Sequence, residues 1–208
     1  MNLTSLKNTV IGYADRYDSE VNNSFAFWLP IVEGRINSVL STRLSLKDII
    51  IPIISTDTEI DFPADLLFLK QVKLVDTNEQ SELIFQYVTE KYLSSVIAAG
   101  ASKPYYTVTN NAFKVSWGFK NDGNEELHVR YEQKVPALVA GTTETNWLLD
   151  NNPEVYVFGL LVELYSFVKD AEAAQLWDAR FTNALDNIEN TDHRTQWSGT
   201  TPPQIKLG

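Results

Sequence analysis

The 208-residue chain sets 27 acidic against 17 basic side chains, a formal net charge of -10, with 44% hydrophobic and 12% aromatic residues. Such a surface repels polyphosphate, which argues against gripping DNA or an anionic membrane while leaving DNA free to pass nearby unheld. Cysteine is absent, so disulfides, thiolate metal sites and cysteine nucleophiles are excluded.

The first 18 residues, MNLTSLKNTVIGYADRYD, show no apolar stretch behind a basic one, so no signal peptide is expected. In that stretch Leu6, Val10, Tyr13 and Tyr17 recur at spacings of three and four and predict a helix with one apolar face. Asn22 and Asn23 offer caps before FAFWLPIVEGRINSVL. There Trp28, Ile31, Val32, Ile36, Val39 and Leu40 share a face, and Glu33, Arg35 and Ser38 lie mostly elsewhere. Pro30 lacks an N–H, so the second helix is expected to start close to it.

From Asp48 the pattern turns to strands. IIIPII (49–54) reads as an edge strand because of its proline. DFPADLL reads as a turn leading into a strand that reaches Val75, and LIFQYV (83–88) as another strand. Thr89 and Glu90 open a short helix that Gly100 can end. Tyr106 and Val108 run to an Asn110-Asn111 turn, and Phe113, Val115, Trp117 and Phe119 alternate on the return. A second turn, 121–124, leads to Leu127, Val129 and Tyr131 alternating with Glu126, His128 and Arg130, a strand with one wet face.

The C-terminal part is helical again. Asn152 suits an N-cap, Pro153 the first helical position, and Glu154 the positive end of the dipole. Residues 155–168 are then apolar all round apart from Glu163 and Ser166, too short for the ~20 residues of a membrane span. A helix with no wet face must be covered on every side, and a neighbouring copy is expected to cover what the chain does not. A further helix follows, with Ala173, Trp177, Phe181 (or Arg180), Ala184 and Ile188 on its stripe. The last 18 residues show no period and include Pro202-Pro203, which favours an extended arm. The predicted class is α+β: a helical bundle from 1–47 and 150–190, a mainly antiparallel β unit inserted at 48–149, and an extended arm at 191–208.

Chemistry is sparse. His128 and His193 have no helical histidine partner and read as solvated. Asp57, Glu59 and Asp61 alternate in TDTEID, where a solvated strand edge outweighs a calcium site because no glycine turn or further ligands accompany them. Glu125, Glu126 and Glu163 are the carboxylates to consider for glycoside cleavage; for Glu163 a buried pair with Arg35 or Arg180, or a subunit boundary, is the preferred reading. Tyr105, Tyr106, Trp117 and Phe119 could form a sugar platform, but their alternation favours the core. Trp197 belongs to no periodic element and reads either as an anchor for a partner's pocket or as a residue folded back on the bundle. No phosphate loop, dinucleotide fingerprint or nucleophile elbow is present, and neither cofactor nor metal is expected.

One resemblance is specific. The run from Tyr131 to Ile188 carries Val135-Pro136-Ala137-Leu138, Asn146-Trp147-Leu148-Leu149, Asp150 to Tyr156, Lys169-Asp170 and Ala179-Arg180-Phe181. With DFPADLLFLKQVKLV, and more weakly VEGRINSVL, it resembles the head-to-tail adaptor proteins of short-tailed and related bacteriophages over most of residues 30–190. The resemblance implies a structural virion protein, made in the host cytoplasm, that forms a ring of about twelve copies beneath the portal. It implies three partners: the portal, other copies of the chain, and the next tail or nozzle protein, with genomic DNA only transiting the lumen. The arm residues Trp197, Pro202, Pro203, Ile205, Lys206 and Leu207 would dock on the portal, and Tyr156, Leu160, Glu163 and Arg180 would pack between subunits. The rival readings are a phage-encoded cell-wall-degrading enzyme and a carbohydrate-binding module.

Overall fold

The computed structural model describes residues 1–53, 57–100, 103–120 and 123–197, of which 193–197 by backbone alone. The chain is α+β, and it divides into two compact units: Met1–Arg43 with the chain from Val135 onward, and Leu44–Lys134.

The first unit is helical. Helix α1 (Leu3–Ala14) starts at Asn2, whose side chain accepts from Ser5 N at 2.8 Å. Helix α2 (Ser19–Val39) starts at Asp18, which accepts from Val21 N at 3.1 Å. Pro30 therefore stands inside α2 rather than at its start, a correction with a physical reason. The Asp18 cap and the buried Val21, Phe25, Trp28 and Leu29 hold the first turns, while Pro30 and Ala26 lie on the exposed side, where water can reach the carbonyl Pro30 cannot serve. Tyr13 and Tyr17 are also exposed, because α1 turns Leu6, Val10 and Ile11 inward and ends before Tyr17.

A short helix α4 (Trp147–Asn151), capped by the Asn146 side chain, precedes α5 (Pro153–Phe167) and α6 (Ala171–Trp197). Pro153 opens α5 as its spacing predicts, although the Asn152 side chain makes no capping bond. Most of the apolar surface of α5 is covered within one chain, against α1, α2, α4 and α6, while Phe167 stays 45% exposed at its end. Gly159 makes the fit possible: a Cβ there would stand 2.6 Å from Val32 Cγ1 and 3.1 Å from the Phe181 ring.

The second unit holds two four-stranded sheets. One has the order β1-β8-β3-β4, from β1 (Leu46–Ile51), β8 (Glu125–Gln133), β3 (Leu66–Asp76) and β4 (Ser81–Ile84). The other has the order β2-β7-β6-β5, from β2 (Glu59–Asp61), β7 (Ala112–Val115), β6 (Tyr105–Thr109) and β5 (Gln86–Tyr87). All pairs are antiparallel except β5 with β6. Residues 83–88 thus feed two sheets rather than one strand: Phe85 turns into the core between β4 and β5. The wet-faced strand emerges as expected, with Leu127, Val129 and Tyr131 buried beside Val72, Leu74 and Phe113. Helix α3 (Glu90–Ala98) ends before Gly100, which takes a left-handed conformation.

Three boundaries differ from the sequence reading, the first being that the β unit begins at Leu44 rather than 48. Residues 135–149 belong with the helices, because Val135, Leu138, Leu148 and Leu149 are buried in the helical core. Residues 191–197 continue α6 and are not an extended arm. The remaining arm positions lie outside the described residues.

Candidate functional site

The carboxylates considered for hydrolysis are placed in unlike surroundings. Glu125 and Glu126 are neighbours on β8 and so face opposite sides of the sheet. Glu125 accepts from the Lys120 backbone N–H, and Glu126 lies 3.1 Å from His128 Nε2. Glu163 is 3.8 Å from Arg35 Nη1, the arginine partner its position in an apolar helix called for. Glu59 and Asp61 stand exposed on β2, and among the described residues no three of His, Asp and Glu converge as metal ligands. Tyr106 and Trp117 pack against the sheet core and Phe119 belongs to it, while Tyr105 stands edge-on to Tyr92. The His193 side chain lies outside the described residues.

The outer face of the β1-β8-β3-β4 sheet carries a ladder of paired charges beside exposed Leu46, Ile50 and Ile84. Arg130 donates to both oxygens of Asp48, at 2.7 and 2.9 Å, and Lys73 meets Glu82 at 2.8 Å. These lie along a shallow cleft lined by Asp48, Gln71, Lys73, His128 and Arg130. The hydrogen bond from Arg130 holds the Asp48 carboxyl below the usual carboxylate range, so the ladder stays ionised. With each cation already matched, the face offers little to an anionic ligand.

In the helical unit the expected packing residues separate sharply. Tyr156 and Leu160 are 0% exposed within one chain and have no surface for a neighbour. They face inward because α5 is the bundle's centre. Glu163 joins Asp178 in holding Arg35, whose Nη2 donates to Asp178 at 2.5 Å and whose guanidinium lies 4.8 Å from the Phe181 ring. Arg180 is exposed and rests over Trp177, 4.6 Å from the ring centre.

The root of the C-terminal segment is clamped by groups that sequence reading passed over. Asp192 on α6 accepts from the Arg43 backbone N–H at 2.9 Å and from Arg43 Nε at 3.0 Å, and Glu189 accepts from Ser41 N at 3.3 Å. These bonds tie the last turns of α6 to the end of the α2 segment. The available signal was the acidic spacing Glu189-Asp192, which puts both carboxylates on one helix face. Replacing Asp192 by Ala is expected to loosen α6 beyond Ile188. Hydrogen exchange of amides 190–197 should speed up roughly fivefold, as removal of about 1 kcal/mol of hydrogen bonding implies, with exchange in α5 unchanged. Of the proposed arm, Trp197 is the last residue of α6, and Pro202, Pro203, Ile205, Lys206 and Leu207 lie outside the described residues.

A second buried network also escaped the sequence. Glu33 Oε1 accepts from Leu138 N at 2.7 Å, and Asn37 Oδ1 accepts from Val135 N at 2.8 Å. Asn146 donates to the Pro136 carbonyl at 2.6 Å and to the Tyr156 hydroxyl at 2.8 Å. Together they strap 135–149 onto the helices. The visible hint was Glu33 inside an otherwise apolar run.

Among the described residues no helix is long and apolar enough to cross a membrane. No curated protein matches the chain. The model of the SU10 adaptor protein family matches residues 1–204, which takes in both units and nearly the whole sequence. Such a span shows the family, and the chain belongs to the SU10 adaptor proteins, a family of structural head-to-tail adaptors of bacteriophages.

Proposed function

We propose that the chain forms a ring beneath the portal of the virion, joining it to the next tail component, with genomic DNA passing through the lumen. What carries this reading is the family match over residues 1–204. The net charge of -10 supports it, since a channel for DNA must not hold the polyanion. The C-terminal residues after α6, with Pro202-Pro203 and Ile205-Lys206-Leu207, would dock on the portal.

The free chain would be a monomer. Bringing many copies together unaided is costly, and the portal supplies the template that makes each later addition effectively intramolecular. The test is mass by light scattering, on the purified chain alone and then mixed with the portal protein of the same phage. A monomer that joins the portal as a ring, and a chain ending after Trp197 that does not, is the expected result. That end point keeps all of α6 and its Asp192 clamp, so failure of the shortened chain reports on the terminal segment itself. A full-length chain that ignores the portal would overturn the proposal.

A further inference from the structure

Helix α2 is inverted in one respect. A surface helix ordinarily turns its charges outward. Beyond Glu20 in its first turn, the ionisable residues of α2 are Glu33 and Arg35. Glu33 is buried at 9% exposed, and Arg35 is engaged by Glu163 and Asp178. The outward stripe is Asn23, Phe27, Pro30, Ile31, Gly34 and Ser38, without a charge. Phe27 is 71% exposed on it.

Two features of this stripe have no use inside the chain. Gly34 sits in the helix interior, where glycine costs roughly 1 kcal/mol relative to alanine. A Cβ at Gly34 would meet nothing within 4 Å, so no contact in the fold requires its smallness. Pro30 has no N–H for the Ala26 carbonyl, which leaves an outward-facing acceptor beside Phe27. A small residue where the chain leaves space, next to an exposed aromatic, suits the close approach of another helix from outside.

We infer that this face of α2 is the lateral contact with a second copy of the chain, an inference that rests on the ring reading above and names the surface that closes it. Charge selects the occupant. Two copies each carrying -10 repel wherever their carboxylates face, and burying unpaired carboxylates is costly. The neutral stripe is where like-charged copies can meet without that cost. A basic partner would be recognised through carboxylates, and the stripe offers none. From Asn23 to Ser38 it runs about 22 Å, the length of one helix-on-helix contact. In a ring the receiving face is a different surface of the neighbour, so contact is head to tail.

Two variants test the inference without disturbing the fold: Phe27→Asp, on a side chain already in solvent, and Gly34→Leu, which fills empty space and favours the helix. Urea midpoints should be unchanged for the first and unchanged or raised for the second. Light scattering against the portal should show both variants needing about a hundredfold higher concentration than wild type to complete the ring, the scale of a lost interface anchor. If both assemble like wild type, the α2 proposal falls and the ring reading stands. If wild type itself never joins the portal, the ring reading falls, and a photo-crosslinking residue at position 27 in purified virions decides the face separately. Adducts between two adaptor chains support the contact, and adducts to any other virion protein overturn it.

Discussion

Gly159→Ala is expected to destabilise the helical unit by about 1 kcal/mol, although the same exchange in most helices is stabilising. The new methyl would stand 2.6 Å from Val32 Cγ1 and 3.1–3.3 Å from the Phe181 ring. Val32 and Phe181 are themselves buried, at 0% and 2% exposed, so neither can swing away into solvent. The helices must part or two rotamers must strain, and overpacking of this kind costs ~1–3 kcal/mol. Helix propensity returns roughly 1 kcal/mol of that. Gly159→Val should cost more, about 3 kcal/mol, because branching at Cβ adds a second clash and removes rotamer freedom. Gly34→Ala is the internal control: its Cβ meets open space, so the midpoint of urea unfolding should rise. Measured side by side, the two alanine variants should shift in opposite directions. A Gly159→Ala chain as stable as wild type would show that α5 does not pack this closely on α2 and α6.

That contrast also bears on what the sequence could say. An all-apolar run behind Asn152-Pro153 announces a buried helix, because no other arrangement keeps such a surface from water. It does not announce what covers the helix. Tyr156 and Leu160 looked available to a neighbouring copy, yet the chain's own α1, α2 and α6 surround them. Pairing partners far apart in sequence are invisible to periodicity. The hairpin of β6 and β7 and the alternation in β8 were legible because each depends on near neighbours and a period of two. Pro30 misled for the same local reason: proline usually opens a helix, but the tertiary burial of Phe25, Trp28 and Leu29 outweighs one missing hydrogen bond. The tail of α6 was hidden as well. Residues 191–197 lack an apolar stripe, and what holds that helix end is Asp192 on the Arg43 backbone, a contact across 149 positions.

Glu33 provides the second large effect, and its sign is opposite to that of Asp48, Asp65, Asp76 and Glu82. Burial raises its pKa above the ordinary 4.5, partly opposed by the hydrogen bond from Leu138 N, which favours the ionised form. A raised pKa means that the folded state keeps its proton at a pH where the unfolded chain has lost it. Stability from this group is therefore fully present below the unfolded value and declines as pH rises from there through the folded pKa. Asp48 and Asp76 run the other way: ion pairing lowers their pKa, and their contribution is lost as pH falls. Tyr156, one strap residue away, stays a neutral phenol because burial and the nearby Glu33 charge raise its pKa further than the Asn146 bond lowers it. Two substitutions separate charge from hydrogen bonding. Glu33→Gln keeps an oxygen for the Leu138 N–H and removes the buried charge, so at pH 7 it should match or exceed wild type, with the advantage shrinking as pH falls toward 5. Glu33→Ala removes the acceptor and leaves a buried N–H unpaired beside a cavity, which should cost about 2–3 kcal/mol at either pH. Urea unfolding at the two pH values measures both. If Gln proves as damaging as Ala at pH 7, the charge on Glu33 is needed, and the strap over 135–149 is held by ionic attraction rather than by a hydrogen bond that a neutral side chain can supply.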